Sequence, residues 1–203
     1  LEIQKWILGA DELILQNAKY DHSVLRETFH DNGLELQWDW DKVHDTLLSA
    51  HLIASNQPKD LTTQALKYLN SNILPVENAL KAAVQEARKI IQRKANINIL
   101  SNWMIAKKGI PCMPSVKGEK DSSYWSADMW VPRALILWCI EQKRYDIIPQ
   151  GNSQKALENH PWLKLLPDYS NTDSTVTLFI HNKHMEIIKQ RGYEKVYKER
   201  LKV

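Results

Sequence analysis

A chain of 203 residues with 43% hydrophobic content is long enough to bury one sizeable core, and its longest apolar run, residues 134–140, is far too short for a membrane-spanning helix of roughly 20 residues. The net charge of +3 excludes a strongly basic, dedicated polyanion binder, yet it conceals segregation: residues 1–60 hold 11 acidic and 5 basic groups, whereas residues 61–110 hold 8 basic and 2 acidic. Two cysteines, Cys112 and Cys139, far apart and in apolar or Pro-flanked settings, suit a reducing, cytoplasmic compartment rather than a disulfide framework.

The chain reads as a single helical domain over residues 1–203, or as a piece of a longer protein, since its first residue is Leu and nothing there resembles a secretory leader. Residues 3–20 place Ile3, Ile7, Ala10, Ile14 and Ala18 at helical spacing, and Asp21 is positioned to cap a second helix that Asn32 and Gly33 close. Residues 34–40 alternate apolar and polar, the pattern of a half-buried strand or of a linker anchored by Trp38 and Trp40. Residues 41–54 read as helix, and Asp60 is a cap for a helix over 61–69.

The longest helix is expected to open at Pro75 and to run past Lys94, burying Leu80, Val84, Ala87 and Ile91. A break at 95–98, a further helix over 99–106 and an exposed loop over 110–123 follow. Residues 134–140 satisfy either a helix opened by Pro132 or a buried strand. A short helix spans 154–159 and a loop spans 167–172. Residues 175–180 show β-branched alternation, although Asp173 equally caps a helix through Gln190 that Gly192 ends. Residues 193–203 read as a basic C-terminal helix with Tyr193, Val196, Tyr197 and Leu201 on one stripe. The fold class is therefore mainly α, an irregular multi-helix bundle, with room for one or two short strands around 34–40 and 175–180.

Three constellations carry candidate chemistry. Asp128, followed by the apolar run and then Glu141 and Lys143, resembles the D…ExK pattern of metal-dependent nucleases of the PD-(D/E)xK superfamily, with Ala127 where that pattern has Pro. The resemblance covers about sixteen residues. It implies Mg²⁺ or Mn²⁺ held by the two carboxylates, a lysine that orients the attacking water, and a strand over 134–140. His181 and His184 share a helical face, so His184 is a candidate catalytic residue; the pair lacks the third ligand of a zinc centre, and no metal site is assigned.

The third is a basic set: Lys81, Arg88, Lys89 and Arg93 on the long helix, Lys107 and Lys108 after it, and Lys189, Arg191, Lys195, Lys198 and Arg200 near the C-terminus. Neutralising phosphates with Lys and Arg supplies most sequence-independent affinity for nucleic acid. With no Gly-rich phosphate loop and no nucleophile elbow, nucleotide hydrolysis and serine hydrolysis have no sequence support. The expectation is a binding or assembly module within a nucleic-acid-processing system, more a binder than an enzyme. It needs no cofactor unless the nuclease alternative holds. The competing expectation is a protein-interaction subunit, since eight tryptophans are a heavy load for this length and Trp anchors interfaces as well as cores.

Overall fold

The computed structural model of the chain describes residues 2–94 and 129–201. It is mainly helical with one two-stranded parallel sheet, and contacts divide it into two compact units, residues 1–73 with 173–203 and residues 74–172. The strands are not where alternation placed them. Residues 34–40 hold no strand and residues 175–180 are helical; the sheet is β1 (Leu13–Leu15) beside β2 (Val43–Asp45). Alternation over 34–40 has another cause: Trp38 and Trp40 turn onto His22, with ring centroids 5.3 and 4.9 Å from it.

In the first unit, α1 (Glu2–Gly9) ends before the expected helix over 3–20 is complete. Leu13, Ile14 and Leu15 instead pair with Val43, His44 and Asp45, because a parallel partner satisfies backbone groups that a short apolar triplet cannot satisfy alone. Helix α2 (Ala18–Asp31) lies between the strands in sequence and makes a β-α-β unit. It ends at Gly33, whose φ of +68° permits the closing bond from Leu34 N–H to Phe29 O at 2.9 Å. Helix α3 (Thr46–Ile53) follows β2 directly, so residues 41–54 divide between a 3-10 turn (Trp40–Lys42), a strand and a helix. Asp60 caps α4 (Leu61–Leu69) as expected, accepting from Thr63 N–H at 2.8 Å. Ala65 and Ile73 pack on Val176 and Ile180, and Ile53 packs on Ile188 and Tyr197.

The second unit starts with α5 (Leu74–Lys94), Pro75 lying in its first turn as expected. Residues 134–140 belong to α6 (Val131–Glu141), which buries Leu135, Ile136, Trp138 and Cys139 against Ala83 and Ala87 of α5 and against Ile147, Ile148 and Leu157. Ser153 caps α7 (Gln154–Glu158). The loop expected over 167–172 is continuous helix within α8 (Trp162–Gln190). Pro167 has no N–H to give to Leu163 O, and Arg133 donates to that carbonyl from Nη1 at 2.6 Å, which removes the main cost of proline inside a helix. Residues 162–172 of α8 count with the second unit and its remainder with the first. After Gly192, at φ +70°, the C-terminal stretch is one α-turn, α9 (Glu194–Val196), and a π-turn (Tyr197–Leu201) rather than a regular helix. The expected features at 95–98, 99–106 and 110–123 lie outside the described residues.

Candidate functional site

The densest polar chemistry of the first unit gathers where β1 and β2 end. Asp45, the last residue of β2, is buried, and its carboxylate accepts from the backbone N–H groups of Asn17 at 3.0 Å, Ala18 at 2.9 Å and Leu47 at 2.8 Å. One side chain thus caps the starts of α2 and α3, where unpaired donors and the positive ends of the helix dipoles favour an anion. It also holds Asn17 in the left-handed region, φ 67° and ψ 55°, a conformation that costs a non-glycine residue about 1 kcal/mol. The Asn17 side chain is exposed and makes no capping bond. Thr46 reinforces the turn by donating from Oγ1 to Leu15 O at 3.0 Å.

Asp21 stands one helical turn beyond Asn17. Its half-buried carboxylate makes no hydrogen bond or ion pair among the described residues, and burial followed by the charge of Asp45 pushes its pKa up to about 6. A carboxyl group in that condition is incomplete without a proton or a cation.

The histidines form two linked networks behind the sheet. The His44 Nδ1 lies 2.8 Å from the Tyr197 hydroxyl, its Nε2 lies 3.6 Å from Glu12 Oε1, and its ring is 4.8 Å from that of His181. His181 is buried with its Nδ1 unpartnered. In the second network, the Gln64 amide nitrogen donates to Pro58 O at 2.7 Å, which turns its oxygen to His184 Nε2 at 3.2 Å. Nε2 therefore carries the proton, and His184 Nδ1 accepts from Ser49 Oγ at 2.8 Å. The order Ser49, His184, Gln64 imitates a nucleophile, a base and an orienting group. Ser49 and His184 are fully buried, however, and burial, then His181 and Lys67, push His184 down to about 4. His184 is a neutral core histidine that fastens α8 to α3 and α4.

The other residues expected from the sequence are dispersed. Asp128, Lys107 and Lys108, and the side chains of Arg93 and Arg200, lie outside the described residues. Glu141 is the exposed last residue of α6, and Lys143 follows it in a turn at φ 54°. The strand that a D…ExK centre requires is a helix, because Pro132 in the first turn and seven buried α6 residues favour helical packing there. Of the basic residues on α5, Lys81 is paired with Glu77, Arg88 is partly buried and Lys89 is exposed. Of those near the C-terminus, Lys189 and Lys198 are exposed, Arg191 donates to Ile53 O at 2.7 Å and Lys195 lies 3.9 Å from Glu199. The two groups belong to different units.

Sequence reasoning missed Asn17, Asp45, Ser49 and Gln64, and took Asp21 for a helix cap. A partial signal was present: the short apolar run 13–15 gives way to the polar pair Gln16-Asn17 and then to a helical pattern, whereas around β2 only Val43 is apolar before Asp45 opens the next helix. No match to this chain was found among protein-family models, curated proteins or solved structures.

Proposed function

We propose that the chain is a nucleic-acid-processing module that acts on phosphodiester groups, with its chemical centre at the ends of β1 and β2. Asp21 carries this reading. In parallel sheets, ligands are received beyond the carboxyl ends of the strands, and here that position holds a carboxyl group with no hydrogen-bond or ion-pair partner among the described residues, beside an exposed asparagine in the left-handed region. Asp45 is committed to three backbone donors and serves as the brace. Among the described residues no group of three His, Cys, Asp or Glu side chains is arranged to hold an ion. Mg²⁺ does not need one, since it is commonly held by one or two carboxylates, with water and substrate phosphate supplying the other oxygens. An ion held by Asp21 would supply Lewis-acid polarisation of a phosphoryl oxygen and a bound water of lowered pKa. Lys189 and Lys198, exposed on the same unit, add salt-sensitive attraction for the backbone.

The test follows labelled single- and double-stranded DNA and RNA across a salt series, with and without Mg²⁺ or Mn²⁺, for the wild-type chain and for Asp21→Asn. The expected result is salt-sensitive retardation by both proteins and metal-dependent cleavage by the wild type alone. The wild-type rate should rise through about pH 6, as Asp21 loses its proton. Retardation without cleavage removes the chemical role of Asp21 and leaves a binding module. No retardation at low salt removes the whole reading.

A further inference from the structure

We propose that residues 193–201 form a proton-released latch, seated on the first unit by Tyr197 through the His44–His181 pair and freed when that pair is protonated. Among the described side chains of the segment, Tyr197 is the anchor: it is buried, at 3% exposure, whereas Tyr193 and Val196 are exposed. Its backbone is a single α-turn and a π-turn, neither of which persists alone in water. The Tyr197 ring packs on Ile53 and Ile188 and stacks on His44 at 6.0 Å with 18° between the ring planes.

The polar end of that contact is built to change with protonation. In the neutral tautomer that carries its proton on Nε2, the nitrogen 3.6 Å from Glu12, His44 accepts the Tyr197 hydroxyl at Nδ1. A proton on His44 turns Nδ1 into a donor and reverses that bond, while Glu12 offsets the new charge. A further proton on His181 has no such relief: its buried Nδ1 has no hydrogen-bond partner among the described residues, and its ring meets His44 at 4.8 Å. Burial and then His44 hold His181 below the usual histidine range, against an opposing pull from Glu12. His184, three residues along α8, adds repulsion once charged, and Lys67 bears on it from α4. Burial, with Asp45 and Glu12, pushes Tyr197 up to about 12, so the phenol keeps its proton throughout and the imidazoles are the groups that switch. Release would present Lys195 and Lys198 on a free basic segment.

Hydrogen exchange of the whole chain at pH 7.5 and pH 5.0, corrected for intrinsic exchange rates, reads the latch directly. At pH 5.0 amides of 193–201 should lose about tenfold more protection than α4 and the 173–190 part of α8, whose protection falls only with the stability of the whole unit, one pKa unit of differential protonation corresponding to a factor of ten. His181→Asn should keep the segment protected at pH 5.0, and Tyr197→Phe should loosen it at both values. Equal protection of 193–201 at the two pH values in the wild type would overturn the latch. So would an equal fold-loss of protection in the segment and in α4, which is acid weakening of the whole unit.

Discussion

The two units bury different chemistry. In residues 74–172 the core of Leu135, Ile136, Trp138, Cys139, Ile147 and Leu157 is apolar; burial raises the one described thiol, Cys139, to about 12, and His160, buried against Trp162 at the edge of that core, is held below the usual histidine range by burial. In the unit of residues 1–73 and 173–203, Asp45, Ser49, Gln64, His181 and His184 are as deeply buried as the aliphatic side chains around them. Aliphatic packing is non-directional and tolerates small adjustments, whereas a buried polar network holds one arrangement and fails when a partner is lost or gains a charge. The unit that depends on polar satisfaction is the one that presents an unsatisfied carboxyl at its strand ends. Rigid second partners around a single incomplete group are what a preorganised site needs.

Removing the brace should produce the largest difference. Asp45→Ala leaves three buried or half-buried N–H groups without an acceptor and frees Asn17 from its strained turn, so the first unit should lose about 4 kcal/mol. Urea unfolding followed by hydrogen exchange should show that loss in α2 and α3 and leave α6 unchanged; an equal loss in both units would deny their independence. Leu135→Ala, at a fully buried site, should cost the second unit about 3 kcal/mol, by the same amount at pH 7 and pH 5.

Acid should weaken both units, the first through His184 and His181 and the second through His160, which burial holds below the usual histidine range. His184 has a folded pKa of about 4 against 6.5 when unfolded, so the unfolded chain binds the proton first and stability falls as pH drops from about 6.5 to about 4, by about 3 kcal/mol in all. Asp21 works in the opposite direction, since its raised pKa of about 6 makes the folded state the better proton binder between about 3.8 and 6. Asp21→Asn should therefore steepen the acid loss and, by relieving a half-buried unpaired charge, stabilise the unit at pH 7 by about 1 kcal/mol. A destabilised Asp21→Asn variant at pH 7 would mark Asp21 as a structural residue. Arg133→Ala, which leaves the Leu163 carbonyl without its donor opposite Pro167, should cost about 1 kcal/mol, read as faster exchange around residues 163–168.

Among the described residues no helix is long and apolar enough to cross a membrane, which agrees with the short apolar runs of the sequence. Helix starts were the most legible local feature: Asp60, Pro75 and Pro132 stand in first turns or at caps, where each residue type has a local physical reason to be. The site was less legible. Asp21 and Asp45 resemble any acidic cap, and only the meeting of residues 27 or 28 positions apart shows that Asp45 serves two helices while Asp21 serves none. His184 attracted a catalytic reading because spacing reports a shared face but not depth, and burial decides whether an imidazole can reach a substrate.

Helical periodicity, capping residues and the Gly33 and Gly192 stops determined by themselves a mainly helical chain and the ends of several of its helices, because those signals act over three or four residues and need no distant partner. Tertiary structure alone decided the sheet, the continuity of α8 through Pro167 and the polar centre. A three-residue strand is stable only with its parallel partner, the carbonyl freed by a proline is satisfied only by an arginine 30 residues away, and a carboxyl is left over only when its neighbour has taken every nearby donor.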